Sequence, residues 1–107
     1  MNKDKIIKKT NKFTEIIKEN HSVKNFYFSI YYQKSNKTLY GITIPKKIGK
    51  AYVRNKIKRQ MKNIIMNNEK NIQKNFSYVI IIKKDIVKLK YVQIQEQFLN
   101  LIKKVRI

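Results

Sequence analysis

Hydrophobic and polar positions change period several times along the chain, and each change predicts an element. Phe13, Ile16 and Ile17 recur at helical spacing behind Thr10, a residue suited to an N-cap. A helix is expected from Thr10 to about Glu19, ending at Asn20, which tolerates the left-handed backbone that closes many helices. His21 to Lys24 reads as a connector. From Phe26 to Tyr32 the period falls to two. Phe26, Phe28, Ile30 and Tyr32 then point one way as core, and Tyr27, Ser29 and Tyr31 point the other. After the polar turn Gln33 to Lys37, a second strand is expected from Thr38 to Ile44, with Tyr40, Ile42 and Ile44 on one face. So short a connection predicts an antiparallel hairpin. Gly41, on the opposite face, leaves a gap or marks a close approach, and Pro45 ends pairing.

Lys46 to Lys50 is a basic connector containing Gly49. From Ala51 to about Asn71 the pattern is helical again. With Arg54 at zero and ~100° per residue, Lys58 falls near ~40°, Lys62 near ~80°, Asn55 near ~100° and Arg59 near ~140°. Val53, Ile57, Met61, Ile64 and Ile65 gather within about 120° on the opposite arc. One helix therefore carries an apolar stripe to bury and a cationic stripe to present. Asn67 to Asn75 is polar, a weak linker signal. Ser77 to Lys83 is apolar with little alternation, as in a central strand covered on both faces. Lys84 to Lys90 reads as a loop. Tyr91 to Lys104 closes the chain as a helix, with Ile94, Phe98, Leu101, Ile102 and Val105 at helical spacing. These elements predict a single α+β domain over residues 1–107, a three- to four-stranded sheet with helices packed on it. Met1 to Lys9 is expected to be a basic, frayed terminus.

Charge sharpens the picture. The 107 residues hold 26 Lys and Arg against 6 acids, a formal charge of +20. No acid falls between Asn20 and Asn68. Lys46 to Lys62 alone contains Lys46, Lys47, Lys50, Arg54, Lys56, Lys58, Arg59 and Lys62. A solvated helix face ordinarily mixes signs at i,i+4; this one does not, which points to an anionic partner. Abundant Lys, Asn and Ile suit an AT-rich genome, but that bias would not also remove the acids. There is no Cys, so no disulfide framework or thiolate metal site. No apolar run reaches the ~18 residues of a membrane span, and no secretion signal follows the basic N-terminus. The default location is the cytoplasm.

Candidate chemistry is sparse. Asp4, Glu15, Glu19, Glu69, Asp85 and Glu96 are scattered, and none forms a recognisable acid-base pair. His21 has no nucleophile beside it. The clustered carboxylates of a two-metal nuclease are missing. No catalytic residue and no metal ligand is expected in this chain.

Lys46-Lys47-Ile48-Gly49-Lys50-Ala51 followed by Arg54-Asn55-Lys56-Ile57-Lys58-Arg59 resembles the signature of the protein subunit of bacterial ribonuclease P. That signature runs Lys-Lys-x-Gly-x-Ala, then Arg-Asn-Arg-x-Lys-Arg. The resemblance extends, more weakly, from about Ile7 to Ile102. Lys56 stands where the family usually has Arg and keeps the charge without the bidentate fork; Pro45 stands where Ser is common. The resemblance implies the order αβββαβα with a left-handed crossover carrying the basic helix, against the right-handed default. It further implies an endoribonuclease subunit that docks on a catalytic RNA and helps remove the 5′ leader of precursor tRNA. Catalysis then belongs to the RNA with Mg²⁺. Partners are ribonuclease P RNA and precursor tRNA, with no membrane and no obligate protein partner. By the same resemblance, RNA contacts fall on Arg54, Asn55, Lys58 and Arg59, with Lys56 matching in charge only, and the leader cleft on Phe13, Ile17, Ser29 and Tyr31; the charge pattern adds Lys46, Lys47, Lys50 and Lys62 to the RNA contacts. Tyr27 joins them by strand alternation. Ile17, where an aromatic often sits, cannot stack. Core packing is the competing explanation for Phe13, Ile17 and Tyr31. The alternative function is a structural RNA-binding protein such as a small ribosomal protein, which charge and size fit nearly as well.

Overall fold

The computed structural model describes residues 5–7 and 10–105. The elements are α1 (Thr10–Glu19), β1 (Ser22–Lys24), β2 (Phe28–Lys34), β3 (Leu39–Thr43), α2 (Ala51–Asn67), β4 (Phe76–Ile82) and α3 (Tyr91–Ile102). Short 3-10 turns cover Lys46–Ile48, Glu69–Asn71 and Lys84–Lys88. The order αβββαβα is the one the resemblance implies. The Thr10 side chain, expected as a cap, lies outside the description. Asn20 does close α1 in the left-handed region, at φ 58.

The sheet order is β1-β2-β4-β3. β2 and β3 are therefore not a hairpin. β4 lies between them, antiparallel to β2 and parallel to β3. The reason is burial demand: six of the seven residues of β4 are buried and Ile81 is half-buried, so it needs cover on both faces and neighbours on both edges. A tight connection does not forbid this. Two strand spacings are ~10 Å, and four extended residues reach ~13 Å. Residues 35–38 step over the start of β4 and are held there by Asn75. Ser35 N donates to Asn75 O at 2.9 Å, and Asn75 N donates to Thr38 Oγ1 at 2.8 Å.

β1, expected to be connector, pairs with β2 through Ser22↔Tyr31, Val23↔Ile30 and Lys24↔Ser29. Three residues are too few to show a period. Phe26 is the second correction: it is 65% exposed, not core. Asn25 Oδ1 accepts hydrogen bonds from both Tyr27 N and Phe28 N at 2.8 Å. This Asx turn starts the strand at Phe28, so the alternation does not run back to Phe26. α2 stops at Asn67, short of Asn71, where the Asn68 side chain donates to Ile64 O and Gln95 Oε1. Within the N-terminal segment expected to fray, Lys5–Ile7 are pinned. Ile7 is buried, its N donates to Tyr40 O at 3.0 Å, and Lys5 Nζ lies 2.7 Å from Glu69 Oε2. Met1–Asp4, Lys8 and Lys9 lie outside the described residues.

Strand alternation splits the interior in two. Phe28, Ile30, Tyr78, Ile80 and Ile82 face α2 and α3, where Met61, Ile64, Ile94 and Phe98 complete the larger core. Phe28 and Phe98 meet edge-on, 5.8 Å between centroids. On the other face, Ile7, Ile16 and Val79 form a smaller cluster with Phe13, Tyr31, Leu39 and Ile81. Among the described residues, α1 and the Lys5–Ile7 segment cover that face, and Tyr31 and Ser29 on it stay half-buried.

Candidate nucleic-acid interface

The basic helix is set up by the connector before it. Gly49 has φ 159 and ψ −169, a backbone region used almost only by glycine. A Cβ there would also lie 3.3 Å from the Val53 side chain. Lys50 is extended, and Val53 N and Arg54 N both donate to its carbonyl. Arg54 Nε donates back to Gly49 O at 3.1 Å, tying connector to helix. Ile57, Met61, Ile64 and Ile65 are buried against the sheet and hold the helix axis in place.

The expected cationic residues divide by position. Lys46, Lys47, Lys50, Asn55, Lys56, Lys58 and Arg59 are exposed. Arg54 and Lys62 are half-buried. Arg54 does not stand opposite the apolar stripe; it lies within the stripe's arc, about 40° from its centre, and its Nε is engaged by the main chain. Lys56 points about 160° away from Lys58 and joins the α3 side of the helix. Ion pairs among the described residues include Lys5–Glu69, Lys12–Glu15 and Lys88–Asp85. None of these three uses a cation between Lys46 and Lys62.

On the α1 side, the tip of the Phe13 ring abuts Gly41. An ideal Cβ on Gly41 would be 2.7 Å from Phe13 Cε1 and closer still to Cζ. Gly41 is thus the close approach anticipated for it. Tyr31 is half-buried beside Val79 and Ile81, and Lys24 Nζ sits 5.3 Å from its ring centroid, within cation–π range. Ser29 is half-buried opposite Ile81, and Ile17 is 37% exposed. Phe13 and Tyr31 therefore combine packing with a surface edge. Tyr27 departs from the expected face: it precedes β2 and packs against the larger core. Lys24 lies in a segment whose sequence reads as connector; pairing with Ser29 in the ladder brings it to the tyrosine.

A pocket of about 190 Å³ joins the two regions. Phe13, Tyr40, Gly41 and Ile42 line it together with Lys58 and Lys62. Ile6 and Ile7, which pair with Tyr40 along the outer edge of β3, line the same pocket. The arrangement offers cations suited to phosphates on α2 and aromatic edges suited to bases on the α1 side. Among the described residues no three His, Cys, Asp or Glu side chains come together. Nor is any described helix long and apolar enough to cross a membrane.

Comparison with known proteins agrees with this geometry. The family profile "Ribonuclease P" matches residues 1–106. The ribonuclease P protein component of Mycoplasma mycoides subsp. mycoides is 38% identical over 109 residues, covering 99% of this chain and 100% of the relative. That of Mycoplasma capricolum subsp. capricolum is 37% identical over 109 residues, with 99% and 100% covered. Among solved structures, the RNase P protein of Thermotoga maritima superposes with a TM-score of 0.86 at 31% identity, covering 94% of this chain and 96% of that one. The Staphylococcus aureus RNase P protein gives 0.86 at 29% identity, covering 92% and 93%. By profile, by sequence and by fold, the chain belongs to the ribonuclease P protein family.

Proposed function

We propose that this chain serves ribonuclease P as its RNA-docking and leader-binding subunit. The family makes it a subunit of an endoribonuclease partnered by ribonuclease P RNA. Nothing in the relatives favours a ribosomal protein. The observation that supports the finer reading is the cationic ridge of α2, without an ion pair among the described residues, which shares a pocket with Phe13; Phe13 in turn belongs to the same cluster as Tyr31. In this reading, Lys46, Lys47, Lys50, Asn55, Lys58 and Arg59 contact phosphates of the catalytic RNA. Phe13, Ser29 and Tyr31, with Ile17 at the edge, hold the single-stranded 5′ leader of precursor tRNA. Lys24 becomes a further leader contact, and Tyr27 becomes a core residue. Bond cleavage and the Mg²⁺ it needs belong to the RNA, in the cytoplasm. The protein acts by lowering phosphate repulsion, which favours productive metal occupancy and substrate binding.

Reconstitution tests it. The chain is mixed with a bacterial ribonuclease P RNA, and precursor tRNA cleavage is followed at near-physiological and at high Mg²⁺. Lys58→Ala with Arg59→Ala is the cleaner pair, because Arg54 also braces Gly49. Cleavage is expected to fall at low Mg²⁺ and recover at high Mg²⁺. Undiminished cleavage at low Mg²⁺ refutes the role of the ridge.

A further inference from the structure

On the flank of α2 away from Lys58 and Lys62, the helix and the segment leading into α3 enclose a groove of about 440 Å³. That is within the roughly 300–1,000 Å³ of small-ligand sites. Its floor is the buried Ile57, Ile86 and Ile94. Its rim carries Tyr52, Lys56, Val87 and Lys90. Tyr52 is 72% exposed and Val87 50% exposed, although both stand on elements whose other outward positions are mostly polar. No acid lines the groove. The nearby Asp85 is engaged by Lys88 at 3.0 Å.

The chemistry restricts the occupant. Two lysines without a carboxylate call for an anion. An exposed phenol ring beside an aliphatic floor calls for a flat, weakly polar face. A second copy of this chain brings another +20 of charge and is repelled. A nucleotide supplies both features, a π-face and a phosphate. Duplex RNA does not, since its bases are stacked within the helix. Continuity favours the same partner, because Lys56 leaves the helix that also presents Asn55 and Arg59 to solvent.

We propose that this groove holds one unpaired nucleotide of the RNA bound by α2, its base stacked on Tyr52 and its phosphate between Lys56 and Lys90. The site rests on the RNA-partner reading above and adds a second, base-stacking contact on the opposite flank of the helix. It gives Lys56 a role separate from that of Lys58.

The chain contains no tryptophan, so Tyr52→Trp introduces a single indole emitter at the site. Titrating this variant with ribonuclease P RNA is expected to quench the indole to saturation. In filter binding, Tyr52→Ala loses about fivefold or more in affinity, and Tyr52→Phe stays within about twofold, because stacking needs the ring and not the hydroxyl. Lys56→Gln with Lys90→Gln lowers the slope of log K against log salt by about one per phosphate contact removed. Tyr52 is exposed, and an unchanged thermal melt checks that each variant keeps its fold. A silent indole at saturating RNA, or wild-type affinity for Tyr52→Ala, overturns the site while leaving the RNA partnership standing. Failure of every variant and of the wild type to bind RNA overturns both. An indole response to an acidic helical peptide, but none to RNA, assigns the groove to a protein and overturns the nucleotide.

Discussion

Gly41→Ala tests how the sheet edge and the α1 face are coupled. The new methyl would stand 2.7 Å from Phe13 Cε1, nearer to Cζ and 3.2 Å from Cε2. Carbon atoms prefer roughly 3.5–4.0 Å, so the ring must retreat by about 1 Å or swing aside. The pocket beside Lys58 and Lys62 offers it room, and a swing that way exposes the ring and strips contacts from Ile16 and Val79. Overpacking of this kind costs about 1–3 kcal/mol. Replacing a strand glycine returns roughly 0.4–1 kcal/mol through the unfolded chain. The net loss is about 1–2 kcal/mol, which lowers Tm by about 4–16 °C in a domain of this size. Calorimetry of Gly41→Ala, Phe13→Leu and the double variant forms a thermodynamic cycle. If the ring is the obstacle, the double variant is less destabilised than the sum of the two singles, by about 0.5 kcal/mol or more. Precursor tRNA affinity of Gly41→Ala should also fall while affinity for the catalytic RNA holds. An unchanged Tm, or strict additivity in the cycle, refutes the seating of Phe13 on Gly41.

Tyr31→Ala should weaken precursor tRNA binding by the roughly 1–3 kcal/mol of one stacked base and leave mature tRNA almost unaffected; equal losses for both remove Tyr31 from the leader path. Phe28→Ala should cost about 3–5 kcal/mol while Phe26→Ala stays within about 0.5 kcal/mol, and urea unfolding that ranks them otherwise contradicts the start of β2 at Phe28. Burial, and secondarily the Glu69 charge, pushes Tyr40 from the ordinary 10.0 up to about 12. Burial, then Tyr40, pushes Tyr78 higher still. Both phenols stay protonated in the fold after the unfolded chain has begun to lose their protons. Their contribution is therefore fully present below pH 10.0 and lost as pH rises through about 12. Absorbance titration should show two of the seven tyrosines ionising last, together with unfolding; seven equal ionisations near pH 10.0 would contradict their burial.

Local pattern determined a good deal. Helical spacing located α1, α2 and α3, and the unbroken apolar run Ser77–Ile82 announced a strand covered on both faces. The glycine at position 41 is consistent in sequence with either a gap or a close approach, and Phe13 makes it the latter. The lysine- and arginine-rich signature identified the family, because phosphate contact and a glycine-only backbone both demand residue types at set spacing. Tertiary structure decided which strand lies next to which. Strand order depends on competition among distant segments for the sheet centre, and the short Gln33–Lys37 turn carried no information about β4 inserting beside β2. It also decided that Phe26 faces solvent, since one Asn25 side chain ended the alternation two residues early. Finally, only the packing of α2 divided its cations into Lys58 and Lys62 on one flank, Lys56 on the other and a half-buried Arg54. A helical wheel gives angles, but the sheet beneath it fixes which angle is outside.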